Sequence, residues 1–210
     1  DTPYLRDGNK FNKISWNEAY KVLKTKLENI KPDNTGCFAG DLTNMETGYA
    51  VKELFNKVFK SNLLDSRNDN KYINFSERQN YIFNSKIAGI EETDLILMIG
   101  CNPRYEATIL NSRIRKSYLK SKMEIYSTND IGDQTYPYKI INNTTSIIKE
   151  IVDGNHELSK KIINSLKPII IIGNSALKQS SGKYIFEEFK KFLIKNDKIT
   201  SKWNSLNLLS

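Results

Sequence analysis

Thiol and imidazole metal ligands are nearly missing from this chain: its 210 residues include two cysteines, Cys37 and Cys101, and one histidine, His156. A structural zinc site or an iron-sulfur cluster draws on about four Cys or His ligands, so no metal centre held by this chain alone is expected. Ser-His-Asp or Cys-His catalysis would have to pass through His156. That residue sits in the polar stretch Asp153-Gly154-Asn155-His156-Glu157 with no motif around it, and such a role is not expected of it. Long apolar runs are absent as well. The longest, Leu95 to Ile99 and Ile169 to Ile172, fall far short of the ~18 residues of a membrane span.

Arginine is scarce. Of the 32 basic residues 26 are Lys and 6 are Arg, and the formal charge is +8. A basic module for RNA or an anionic lipid surface is one reading of that charge. Against it, Lys, Asn and Ile together fill 76 of the 210 positions, a bias expected of A+T-rich codons, and the bidentate guanidinium fork that phosphate-reading surfaces favour is rare. A solvated Lys-rich exterior is the expectation, with no nucleic-acid partner. The chain opens on Asp1-Thr2-Pro3-Tyr4 without Met or a signal-like stretch and reads like the interior of a longer polypeptide or a split-gene product. Two cysteines without disulfide-like spacing fit a reducing compartment such as cytosol or mitochondrial matrix.

Ser15-Trp16-Asn17-Glu18 is a capping box, and Ala19, Val22, Leu23, Leu27 and Ile30 follow at helical spacing up to Lys31-Pro32, predicting a helix over 16–30. Gly36 to Gly40 reads as a buried strand, and Thr43-Asn44-Met45-Glu46 as a second capping box whose helix carries Val51, Leu54, Phe55 and Val58 inward. The same grammar recurs at Leu95 to Ile99, which leads through Gly100 to Pro103 into a helix over 105–119, with a strand at 123–126. It recurs again at Pro168 to Ile172, followed by a helix over 182–194 with Ile185, Phe186, Phe189, Phe192 and Leu193 inward. Such alternation predicts an α/β fold: a doubly wound, mostly parallel sheet with helices on both faces. A polar crossover from Asn142 to Lys161 is the expected hinge, giving a first lobe over 1–141 and a second over 142–210.

In an open parallel sheet, ligands sit beyond the carboxyl ends of the strands. Gly40 to Thr43, Gly100 to Arg104 and Gly173 to Ala176 qualify by position, yet none has the spaced glycines or Lys-Ser/Thr ending of a nucleotide loop. Arg104, Arg113 and Arg115 place half of the arginines within twelve residues. They are expected to tie loop carboxylates such as Asp94 or Glu106, or to reach a neighbouring subunit. Glu91-Glu92 and Glu187-Glu188 read as solvated helix charge, and Tyr136-Pro137-Tyr138 as a packed aromatic turn.

The block from Tyr81 to Asp94, running on through Leu95-Ile96-Leu97-Met98-Ile99-Gly100-Cys101-Asn102-Pro103-Arg104-Tyr105-Glu106-Ala107 to Asn111-Ser112-Arg113-Ile114-Arg115-Lys116, closely resembles the large iron-sulfur subunit of respiratory complex I. Trp16 to Ala19, Ala39 to Leu42, Thr135 to Tyr138, Lys167 to Leu177 and Trp203 to Asn207 support the resemblance in collinear order. It implies the carboxy-terminal, molybdopterin-oxidoreductase-like region of that subunit. There the fold is kept without the pterin-guanine cofactor, leaving Gly100, Asn102, Pro103, Gly173 and Asn174 as vestigial loop positions.

The resemblance also implies that this chain holds no cofactor. Iron-sulfur clusters and FMN belong to partner subunits, including a cluster-bearing amino-terminal region or separate chain. Other peripheral-arm subunits are the implied partners, with Arg104, Arg113 and Arg115 as candidate contacts. The implied location is the matrix side of the mitochondrial inner membrane or the cytoplasmic face of a bacterial one. A competing expectation is a fragment of an active molybdopterin oxidoreductase, similar to formate dehydrogenase, that still binds the guanine end of the cofactor through Gly100, Asn102 and Gly173.

Overall fold

A computed structural model describes residues 1–40, 42–66, 69–141 and 144–209. The chain forms two compact units, Asp1–Asn68 and Asp69–Ser210.

In the first unit, β1 (Tyr4–Asp7) and β2 (Lys10–Lys13) make an antiparallel hairpin pairing Tyr4 with Lys13 and Asp7 with Lys10. The expected capping box starts α1 (Trp16–Leu27): the Glu18 N–H donates to Ser15 Oγ at 3.3 Å and the Ser15 N–H donates back to Glu18 Oε2 at 2.8 Å. A β-α-β step follows from β3 (Cys37–Phe38) through α2 (Met45–Glu53) and a π-helical turn at Leu54–Phe59 to β4 (Leu64–Asp65), with the two strands parallel. Three expectations change here. The strand after Gly36 is two residues long and carries an exposed Phe38, so it is not buried. The helix cap is Asn44 rather than Thr43, its Oδ1 accepting the Thr47 N–H at 2.8 Å. Leu54 and Val58 face solvent. Asp41, in the first of the three candidate loops, lies outside the described residues.

In the second unit a 3-10 turn at Arg78–Asn80 precedes the helical turn α3 (Lys86–Gly89) and the wholly buried β5 (Leu95–Ile99). Next come α4 (Pro103–Glu106), α5 (Thr108–Ser121), β6 (Glu124–Ser127) and β7 (Lys139–Ile140). Then α6 (Thr145–Val152) and α7 (Glu157–Asn164) lead to β8 (Pro168–Gly173), which continues into α8 (Asn174–Leu177), α9 (Gly182–Lys195) and β9 (Leu206–Leu209). All five strands are parallel, in the order β7-β6-β5-β8-β9.

Period-two alternation along the strands divides the core in two. On one face Leu95, Leu97, Ile99, Ile170 and Ile172 pack against Ile151, Leu158, Ile162, Phe186, Phe189 and Leu193 from α6, α7 and α9. On the other, Ile96, Met98, Ile169 and Ile171 pack against Leu110 and Ile114 of α5. Burial of such a side chain stabilises the fold by about 1.5–3 kcal/mol before entropy is counted. The doubly wound α/β expectation, with helices on both faces, thus holds in this unit.

The lobe boundary does not fall at 141/142. Ladder pairs from Leu95 with Pro168 to Ile99 with Ile172 place β8 beside β5 in one sheet, and the chain divides before Asp69 instead. Nor is 142–161 a hinge: Asn142 lies outside the described residues, while α6 and α7 bury Ile147, Ile148, Ile151 and Leu158. Apolar spacing in that segment is masked by the polar residues on its outer faces.

Candidate functional site

The strand order reverses between β5 and β8, and the carboxyl ends of such strands frame the crevice where open α/β sheets bind ligands. A cleft of about 340 Å³ lies there, lined from the ends of β5 and β6, the loop after β6, and the turn after β8. Gly100 lines it, and Gly173 packs against Gly100 and Cys101. Gly100 has φ +60°, and a Cβ on it would stand 2.4 Å from the Ala176 nitrogen; a Cβ on Gly173 would meet Cys101 Cβ and the Gly100 carbonyl oxygen, each at 2.4 Å. The Ser175 N–H donates to the Gly100 carbonyl at 3.2 Å. These glycines let the two loops press on one another, the close backbone approach that only a missing side chain permits.

Asn102 ties the wall together. Its N–H donates to Glu106 Oε1 at 3.0 Å, its Nδ2 donates to the Ile131 carbonyl at 3.0 Å, and its Oδ1 accepts from Gln134 Nε2 at 3.0 Å. Pro103 then opens α4, where its missing N–H costs nothing. Gln134, fully buried, also accepts the Arg104 N–H at 3.2 Å, and its carbonyl accepts from Asn111 Nδ2 at 3.2 Å. Asn111 Oδ1 takes the Tyr136 hydroxyl at 2.7 Å. The loop after β6 is therefore pinned to the turn after β5 by a satisfied buried network, which specifies one arrangement.

Glu106 and Asp130 are the charged residues lining the cleft; no Lys or Arg lines it among the described residues. The Gly132 N–H and the Tyr138 hydroxyl hold the Asp130 carboxyl below its ordinary value, so it is ionised near neutrality. Burial pushes the Cys101 thiol well above its usual range, which removes it as a thiolate nucleophile. His156 lies elsewhere, as the cap of α7, its Nδ1 accepting the Leu158 N–H at 3.1 Å. No group of three or more His, Cys, Asp or Glu suited to a metal occurs among the described residues, and no helix is long and apolar enough to cross a membrane.

The arginines find other partners than expected. Arg104 Nη1 donates to Asp133 Oδ2 at 2.7 Å, and Arg113 donates to Glu91, which also accepts from Lys116 at 3.0 Å. Among the described residues, neither Asp94 nor Glu106 takes an arginine. Burial alone would raise the Asp94 carboxyl, but the Ser165 hydroxyl and the Leu166 and Lys167 N–H groups donate to it and hold it below its ordinary value. Glu92 pairs with Lys167, Glu188 with Lys191, and Glu187 accepts from the Tyr72 hydroxyl and Asn74 Nδ2. These pairs are engaged rather than free helix charge. Asn111, Asp133 and Gln134 were not legible as site residues, since a buried Gln has no local pattern that marks it.

The molybdopterin oxidoreductase family model matches residues 1–210. The chain belongs to this family. It is 33% identical over 222 residues to the NADH-ubiquinone oxidoreductase 75 kDa subunit of Reclinomonas americana, an overlap covering 100% of this chain and 32% of that protein. The mitochondrial 78 kDa subunit of Candida albicans is 34% identical over 212 residues, covering 99% and 29%. A NADH-quinone oxidoreductase subunit of Rickettsia prowazekii is 32% identical over 209 residues, covering 100% and 31%. This molybdopterin oxidoreductase domain therefore spans about a third of the length of the relatives it matches.

The family's description implies a molybdopterin group, and the cleft tests the fit. A dinucleotide's pyrophosphate needs cations or open amides. Here two carboxylates line the cleft without a cation, Glu106 covers the Asn102 amide, and the paired loops at Gly100 and Gly173 fill each other's space. These residues do not suit that end of the group.

Proposed function

We propose that this chain is a cofactor-free structural domain of the large iron-sulfur subunit of respiratory complex I. In this reading it supports electron transfer from NADH to ubiquinone, coupled to proton translocation, without a reacting residue of its own. The observation that carries it is the cleft: a fold of the molybdopterin oxidoreductase family whose ligand crevice is bordered by mutually packed loops and lined by carboxylates without a cation. The likeness to the 75 and 78 kDa subunits and to their rickettsial counterpart supports the choice of complex.

Iron-sulfur clusters and FMN then belong to partner polypeptides of the peripheral arm, on the matrix side of the mitochondrial inner membrane or the cytoplasmic face of a bacterial one. Electron transfer falls steeply with distance, so a rigid sheet that fixes its neighbours contributes to activity by position. On native gels of detergent-solubilised membranes, the chain is expected in the band with NADH dehydrogenase activity; its recovery only outside that band overturns the reading.

One observation favours a second reading, a domain that still takes the guanine end of a pterin dinucleotide. Asn174 Oδ1 is buried without a hydrogen-bond partner, and a purine amine would satisfy it. Calorimetry with GDP decides between them. No heat of binding is expected, whereas binding that Asn174→Ala abolishes would favour this second reading.

A further inference from the structure

Three arginines on one stretch have three different fates. Arg104 is held by Asp133 and Arg113 by Glu91, while Arg115, exposed on α5, forms no hydrogen bond or ion pair among the described residues. Arg115 borders a hollow of about 420 Å³ with Arg104, Thr108, Ser112 and Thr135. On the other side of Thr108 lies a second hollow of about 360 Å³, lined by Phe83, Ile87, Tyr105, Ile109 and Leu209. Tyr105 of α4 is 81% and Ile109 of α5 69% exposed, although α5 also buries Leu110 and Ile114 in the core. Glu106, at the edge of the apolar hollow, already accepts the Asn102 N–H.

An exposed Tyr and Ile over an apolar hollow, beside an unpaired guanidinium, have the composition of interface hot spots. The neighbouring cations are taken: Arg104 by Asp133, Lys116 by Glu91. Charge complementarity therefore asks for one carboxylate at one position rather than a diffuse anionic surface. We propose that this face of α4 and α5 docks a segment of a neighbouring polypeptide carrying a carboxylate next to an apolar side chain. The carboxylate takes the Arg115 fork, and the apolar side chain enters the hollow between Tyr105, Ile109 and Leu209. The inference rests on the reading of the chain as a domain of the respiratory assembly.

The test compares wild type with Arg115→Glu, Arg115→Gln and Ile109→Glu in the intact assembly, with Lys120→Glu as a control on the same helix outside both hollows. The readout is the fraction of the chain in the band with NADH dehydrogenase activity on native gels. Both charge-altering Arg115 variants and Ile109→Glu are expected to lower that fraction about tenfold or more, Lys120→Glu to leave it unchanged, and thermal melting of each isolated chain to match wild type. Wild-type recovery outside the band would defeat the functional reading itself. Wild type inside it, with the Arg115 variants equally incorporated, would overturn the docking proposal alone. So would a dimer of the isolated chain that Arg115→Glu dissolves, since the face would then belong to a second copy.

Discussion

Residues 69–210 bury β5 and β8 completely and cover both faces of their sheet with helices. In residues 1–68, Ser61 is the buried residue among those described, while Phe11, Trp16, Tyr20, Phe38, Met45 and Tyr49 are all exposed. Both units use parallel β-α-β steps. Parallel sheets are stable when layers close over both faces; the second unit meets that condition with five strands, and two-residue strands in the first do not. Order in the first unit is local by comparison. It comes from the Ser15–Glu18 box and the Asn44 cap, each a contribution of about 1 kcal/mol, and from the β1-β2 hairpin.

The contrast can be broken most strongly at Gly100. Gly100→Val puts a branched side chain at φ +60° against the backbone of Ala176, and a loss of about 4 kcal/mol or more is expected in denaturant unfolding of the second unit. Phe189→Ala opens a cavity in the helix layer of that unit and should cost about 3–5 kcal/mol. The matched change Phe38→Ala, at an exposed ring, should stay within about 0.5 kcal/mol by the same measurement. Equal losses at the two positions would erase the distinction between the units.

Asp94 sharpens the contrast through pH. Its folded carboxyl is held below the unfolded value, so its contribution is complete above a pH of about 4 and is lost as pH falls through the lower folded value. Asp94→Asn should cost about 2 kcal/mol at neutrality and flatten the acid limb of a stability-versus-pH curve. Ser15→Ala is expected to cost about 1 kcal/mol of α1 stability. Its reach should stop at the first unit: amide exchange quickens over residues 16–27 and is unchanged in β5 and β8.

Much of the second unit was legible because its signals are local. The unalternating runs at 95–99 and 168–172 and the spacing of Ile185, Phe186, Phe189, Phe192 and Leu193 mark buried strands and an inward helix face, and all are buried. Gly100 and Gly173 could be read as turn positions, but their contact with each other joins loops more than seventy residues apart. Arg104 meets Asp133 for the same kind of reason: a partner 29 residues away is chosen by the fold. The break at Ala107 between α4 and α5, with φ −152°, interrupts a continuous helical pattern without a Gly or Pro to announce it. In the first unit the opposite error occurs. The apolar residues around Cys37 carry the pattern of a buried strand, but burial needs covering layers that a pattern does not supply.

The reading proposed for this molybdopterin oxidoreductase domain is a crevice without a pterin cofactor in a chain that serves a respiratory complex. Its most direct test is metal and pterin analysis of the purified assembly with NADH:quinone activity, after the chain has been verified in it. Iron and flavin are expected in stoichiometric amounts, with molybdenum and pterin at background. One molybdenum and one pterin-guanine dinucleotide for each copy of the chain would contradict it.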